Sequence, residues 1–390
     1  MKKKLLLITL ILSLAFSLCA CADENSTTDQ NPTDSTDTPE EIETSEQSKL
    51  NAISPTVYSR ISGLTLEPGS CISVIGRFAD DSFWTQVEAG ATQAVEDLNE
   101  ALGYTGEDKI KLTYSAPNVR DDVDEQINIL DEELSRYPIA IGIAAIDTSA
   151  CSLQFDLASE NNIPIITFDS GSDYNHVAAH ISTDNKKAAS IAASKLAHSI
   201  SETGEVAIFV QDSTSMTAEE REKGFVKTIM EEFPDISIVN VYHMDELETM
   251  AETVAQHMAL SSTDAEINID LDEITHEDIV KWVIDTNPNL KGIYATNLDT
   301  TQLVADVVTD LERTDLHIIG FDGGEEQLKL LEDDIVDGLI LQNPYGMGYA
   351  TVVAAARVHL NMGNEAKVNT GYAWVTKSNM TETSIANMLY

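Results

Sequence analysis

A two-lobed α/β protein with doubly wound parallel sheets is predicted by three observations. From Ser70 onward short apolar runs alternate with long amphipathic stretches, the pattern of strands joined by crossover helices. About 320 residues are expected to be ordered, too many for one modest doubly wound domain. No Gly/Ser-rich break divides them, so two similar lobes sharing several short crossings are expected.

The elements follow from the pattern. A first strand is expected over Cys71 to Gly76. A first helix follows Asp80-Asp81-Ser82, a good N-cap cluster, because Phe83, Val87, Ala91, Ala94, Val95 and Leu98 recur at helical spacing. Further short apolar runs predict strands at Ile110 to Ser115, Ile139 to Ala145, Ile163 to Phe168, Val206 to Val210, Ile236 to Tyr242, Gly292 to Ala295, His317 to Phe321 and Gly338 to Gln342. Helices fill the gaps. The one interruption is Ser261 to Glu277, where Asp264, Glu266, Asn268, Asp270 and Asp272 alternate with Ile267, Ile269 and Leu271. It lacks the central glycine and terminal glutamate of a calcium loop, so a surface insertion is expected and no metal.

At the other extreme of the sequence, Lys2, Lys3 and Lys4 precede an apolar run from Leu5 to Leu18 that ends in Leu18-Cys19-Ala20-Cys21. The run is too short to span a bilayer as a helix, and the arrangement resembles a lipoprotein signal over residues 1–20. That resemblance implies a diacylglycerol on Cys21 and an extracytoplasmic protein anchored to the bacterial cell membrane. A simple secretory signal cut elsewhere is the alternative. Residues 21–49 are Ser, Thr, Asp, Glu, Gln, Asn and Pro with little apolar content, too little to offset conformational entropy, so a disordered acidic tether is expected.

The formal charge is −43, and removal of residues 1–20 takes away three lysines and no acid, leaving −46. Such a surface repels phosphate backbones and argues against nucleic-acid binding. Beyond the signal and Cys21, only Cys71 and Cys151 remain. They are expected at opposite ends of parallel strands, a strand length apart, and hence as two free thiols.

Several segments together resemble the periplasmic sugar-binding proteins of ribose type, from Ile72 to about Trp374. They are Asp81-Ser82-Phe83-Trp84, the run Ile163 to Asp169, His180 to Asn185, Arg221-Glu222-Lys223-Gly224-Phe225, Tyr294-Ala295-Thr296-Asn297, Ile319 to Gly323, and Gln342-Asn343-Pro344. Their order and spacing put them at carboxyl ends of successive strands, where open α/β sheets form ligand crevices. The resemblance implies the periplasmic binding protein type 1 fold, two lobes joined by a three-strand hinge. Crossings are expected near Thr183 to Asp184, Gln342 to Asn343, and Gly371 to Trp374. One lobe is then 50–183 plus 343–371, the other 184–342 plus 372–390.

It also implies a site. Asp81, Asp169 and Asp322 would accept ligand hydroxyl protons, Arg221 would donate a fork of hydrogen bonds, Asn297 and Gln342 would do both, and Phe83 and Trp84 would cover a ring face. Thr183 is expected first as hinge structure and second as a contact. Blander readings stay open: Asp81 and Asp322 as helix caps, Phe83 or Trp84 as core, and Arg221 as a solvated charge beside Glu219, Glu220 and Glu222. Where many ribose-type proteins carry an arginine this chain has Ser170, and Ala144 stands at a common asparagine position. Three carboxylates facing one arginine are therefore expected, which leaves a neutral sugar, a polyol, an amine-bearing sugar or another small cation open.

The function implied is a lipid-anchored solute-binding protein, expected as a monomer without cofactor, that hands a sugar-like molecule to an ABC permease. The alternative is a ligand-sensing partner of a membrane sensor kinase or chemoreceptor. Catalysis is not expected, because phosphate loops, nucleophile elbows and metal-spacing motifs are missing from the sequence. Sugar-responsive repressors share the fold, but the export signal and the lack of DNA-reading helices argue against that class.

Overall fold

A computed structural model of the chain describes residues 45–261 and 269–390. The signal, Cys21, most of the tether and the acidic run from Asp264 to Asn268 lie outside the described residues. The twelve strands among the described residues are β1 Cys71–Ile75, β2 Lys111–Ser115, β3 Ala140–Ile143, β4 Ile165–Phe168, β5 Ala179–Ser182, β6 Gly204–Val210, β7 Ile236–His243, β8 Leu290–Ala295, β9 His317–Phe321, β10 Gly338–Leu341, β11 Lys367–Asn369 and β12 Ala373–Val375.

They form two six-stranded sheets, ordered β11-β5-β4-β3-β1-β2 and β12-β10-β9-β8-β6-β7. All pairings are parallel except β12 on β10. Strands buried on both faces are mostly apolar, and β3, β4, β5 and β10 bury every residue. The nine strands legible as apolar runs are all present, with ends shifted by at most two residues. Three were not legible. β5 alternates a histidine and a serine into its run, while β11 and β12 are three residues each and lie at sheet edges.

Among the described residues twelve α-helices cover the sheets, in order α1 Ser45–Asn51, α2 Ser82–Leu102, α3 Val123–Ser135, α4 Ser152–Glu160, α5 Asn185–Ser199, α6 Met216–Glu232, α7 Leu247–Ser261, α8 His276–Thr286, α9 Leu298–Asp310, α10 Glu325–Glu332, α11 Pro344–His359 and α12 Thr383–Ala386. The apolar stripe predicted for α2 is buried from Phe83 to Leu98, and Gly103 stops the helix with a left-handed φ of 71°. α11 packs along α2. The approach is so close that a Cβ on Gly348 would lie 1.9 Å from the Val87 carbonyl oxygen, and one on Gly90 1.9 Å from that of Tyr345.

The tether expected to stay unstructured through residue 49 needs correction at its end. α1 starts at Ser45 and buries Lys49 and Leu50. Leu50 joins the apolar cluster beneath α2 and α11, and Lys49 Nζ donates to Gln86 Oε1 at 3.0 Å over the Tyr345 ring. One leucine and one long side chain with a partner suffice to dock a short helix that is polar elsewhere. Cys71 and Cys151 are free thiols, the first half-buried and the second buried.

Three crossings join the two sheets: β5 to α5, β10 to α11, and β11 to β12. They are tied together laterally. Thr370 N donates to Ser182 O at 3.0 Å, and Asn343 Nδ2 donates to both Lys49 O and Thr370 O at 2.7 Å. Thr183 Oγ1 donates to Gln342 Oε1 at 2.9 Å. A hinge built from three bonded crossings restricts the lobes to opening and closing rather than free rotation.

Candidate functional site

Both sheets point strand carboxyl ends at one cavity of about 430 Å³, within the range that buries a small molecule. Two equivalent backbone features define it. Asp169 follows β4 and Asp322 follows β9, with left-handed φ values of 51° and 71°. Each backbone N–H donates across to the neighbouring strand, Asp169 to Ile181 O at 2.9 Å and Asp322 to Ile340 O at 2.8 Å. For a residue with a Cβ this conformation is costly, and it turns each carboxyl off the strand axis.

Asp81 combines both of its readings. Its Oδ1 accepts from Phe83 N at 2.8 Å as the N-cap of α2, and its Oδ2 faces the cavity mouth, where Arg120 meets it at 3.0 Å. Phe83 and Trp84 are both buried yet both line the cavity, edge to face at 5.0 Å and 72°. Their 100° separation on the helix is spanned by ring size.

Arg221 on α6 is 2% exposed, which excludes a solvated helix charge. Its Nε donates to Asn185 Oδ1 at 2.8 Å, its Nη1 donates to Thr296 O at 2.7 Å, and its guanidinium lies 3.9 Å from the centre of the Phe321 ring. Held on three sides, it keeps three N–H groups for a ligand. Asn297 caps α9 through Oδ1, which accepts from Thr300 N at 2.9 Å, and the amide lines the cavity.

Gln342 closes the floor. Its Nε2 donates to Asp322 Oδ1 at 2.7 Å while its Oε1 accepts from Thr183. Asp322 Oδ2 accepts from Leu298 N at 3.1 Å. Thus Asp81, Phe83, Trp84, Asp169, Arg221, Asn297, Asp322 and Gln342 all line the cavity, and Thr183 does not. Thr183 is buried at the hinge, where it orients Gln342.

Burial pushes the Asp169 carboxyl up to about 6, against the opposing pull of Arg221 and Arg77 and with a further push from Asp322. Asp322 is also raised, by burial first, opposed by Arg221 and by hydrogen bonds from Gln342 and Tyr390. Two carboxyls that resist ionisation in one small space are poised to take charge-satisfying donors.

The expectation of one arginine is corrected. Arg77, just past β1, and Arg120, in the loop after β2, line the same cavity. Arg77 pairs with Asp121 at 2.6 Å and approaches Asp212 of the other lobe at 3.8 Å. Arg120 pairs with Asp81 at 3.0 Å and reaches Asp299 of the other lobe at 3.3 Å, stacked on Phe78 at 4.6 Å. Six aspartates and three arginines line the walls in all. The added arginines come with added aspartates, Asp121, Asp212 and Asp299, so the walls keep an excess of carboxylates over arginines. The sequence reading missed both: Arg77 could have been found as the residue that follows Gly76 at a strand's carboxyl end, whereas Arg120 lies in a long polar loop without a pattern.

The periplasmic binding protein domain profile matches residues 72–363. The chain is similar to the D-allose-binding periplasmic protein of Escherichia coli (strain K12), 24% identical over 288 residues that cover 71% of this chain and 80% of the relative. It is also similar to the ribose import binding protein of the same organism, 23% identical over 214 residues, 54% of this chain and 62% of that relative. Among solved structures, a carbohydrate transporter solute-binding protein from Agrobacterium radiobacter, in complex with D-arabinose, superposes with a TM-score of 0.68 at 27% identity, over 82% of this chain and 99% of that one.

Proposed function

Since this chain belongs to the periplasmic binding protein domain family, we propose that it is an extracytoplasmic solute-binding protein that captures a neutral sugar between its lobes for an ABC importer. The observation that carries this reading is the pairing of Asp169 and Asp322, equivalent left-handed turns from two sheets, across one cavity that also holds Arg221, Phe83 and Trp84. A sugar presents hydroxyls that need acceptors and donors, and C–H faces that need flat apolar surface. No covalent step is required.

Capture follows from geometry. The ligand bridges groups of both lobes, so it favours the closed form by its differential affinity alone. The mouth then carries Arg77 against Asp212 and Arg120 against Asp299, ion pairs between lobes that are lost on opening. The moving bodies are 50–183 with 343–371, enlarged by the helix from Ser45, and 184–342 with 372–390. A lipid on Cys21 would hold the protein at the membrane on its tether.

The test is calorimetry with D-ribose, D-allose and D-arabinose on the purified chain. One of them is expected to bind with micromolar affinity, about −8 kcal/mol, and Asp322→Asn to abolish that binding. Failure of all sugars and polyols in a wider thermal-shift panel would overturn the reading, since a ligand at 100 times its Kd adds about 2.7 kcal/mol. For the anchor, Cys21→Ala is expected to release the protein from the membrane fraction, and a mutant still retained and lipid-labelled would refute it.

A further inference from the structure

The segment after β12 returns to the cavity. Met380, Ile385, Met388 and Leu389 pack against the core of the second lobe, and Asn387 Nδ2 donates to Ser48 Oγ at 3.2 Å on α1. Tyr390 then sits between the lobes. Its ring meets Phe83 edge-on at 5.6 Å and 79°, and its hydroxyl donates to Asp322 Oδ1 at 3.1 Å. No sequence pattern pointed to it, and it lies beyond the span matched by the family profile.

Counting acceptor positions shows what this contact does. An ionised carboxylate offers about four. On Asp322, Gln342 Nε2 and Tyr390 Oη take both positions of Oδ1, and Leu298 N–H takes one of Oδ2. One position is left. Asp169 has no side-chain donor at hydrogen-bond distance among the described residues and meets only the backbone N–H of Ser170. The two aspartates are equivalent in backbone but unequal as acceptors.

We propose, building on the sugar reading above, that Tyr390 is a specificity-determining residue: by occupying an acceptor position of Asp322 it makes the cavity select a ligand that presents one hydroxyl there and its vicinal pair to Asp169. Tyr390 acts through Asp322 and is a positioning residue. The ligand class is a neutral sugar whose end at Asp322 carries a single donor beside a C–H group or ring oxygen.

Tyr390→Phe keeps the ring on Phe83 and removes only the donor, so it tests the proposal without a large change in packing. Wild type and variant are titrated calorimetrically with D-ribose, 2-deoxy-D-ribose, D-arabinose and D-allose. The variant is expected to change the affinity ratio of at least one sugar pair by about fivefold, about 1 kcal/mol, while the urea midpoint of the ligand-free chain holds. Ratios that all stay within about twofold of wild type would overturn it. A ligand-free arm separates this outcome from failure of the sugar reading. Titration of the Asp322 side-chain carboxyl by 13C NMR, assigned with Asp322→Asn, is expected to move upward in Tyr390→Phe, because a donor that stabilises the ionised form is gone. If no sugar binds wild type, the sugar reading fails on its own. An unmoved Asp322 titration refutes the role of Tyr390 whatever the sugars do.

Discussion

Replacing Asp169 by Asn should make the empty protein more stable and the sugar site useless. Burial lifts this carboxyl from 3.8 to about 6, so in the folded chain it holds its proton over a range where the unfolded chain has lost it. Stability linked to Asp169 is therefore fully present below about pH 4 and is lost as pH rises through about 6. A shift of about two units at 1.36 kcal/mol each gives about 3 kcal/mol of destabilisation at neutral pH. Asn carries no charge to bury. Urea unfolding of ligand-free wild type and Asp169→Asn at pH 4 and pH 7.5 checks this, with a gain of about 3 kcal/mol expected at pH 7.5 and nearly none at pH 4. A variant less stable than wild type at pH 7.5, or a gain that does not depend on pH, refutes the reasoning. Ligand hydroxyls donate to the charged form, so sugar affinity of wild type should rise with pH through about 6 and fall sharply in the variant at any pH.

Arg221→Ala should weaken sugar binding by about 30-fold or more, since charge-assisted hydrogen bonds contribute about 1.5–3 kcal/mol; calorimetry that finds affinity unchanged would remove Arg221 from the site. Gly348→Ala forces a methyl group into the Val87 carbonyl and should cost about 1–3 kcal/mol, read as a lowered urea midpoint.

The lobes were legible because their strands are buried on both faces and so read as unbroken apolar runs, and because Asp81 to Leu98 shows cap and stripe together. The site was legible where a residue ends such a run, as Asp169, Asn297 and Asp322 do. What escaped has a physical reason in each case. β11 and β12 are too short to carry a period. Arg120 reaches Asp81 and Asp299 from a polar loop, and only the folded arrangement of two lobes brings it there. Tyr390 depends on docking of a tail whose apolar residues Ile385, Met388 and Leu389 show no helical stripe long enough to read. Thr183 was read from its neighbourhood, and its contact with Gln342 shows how a residue can matter to a cavity without lining it.

One amide, that of Gln342, touches the hinge on its oxygen side and the Asp322 carboxylate of the cavity wall on its nitrogen side. On the closure proposed above, Asp81, Phe83 and Trp84 of one lobe come up to Asp322 and Arg221 of the other, so the wall of the cavity would be complete only when the cleft has shut. A sugar that merely enters the open cleft is not yet examined by the whole site. Selectivity is then exercised after encounter, and wrong sugars should differ from right ones in how long they stay rather than in how fast they arrive. Stopped-flow traces for a tight and a weak sugar should accordingly share an association rate and separate in dissociation.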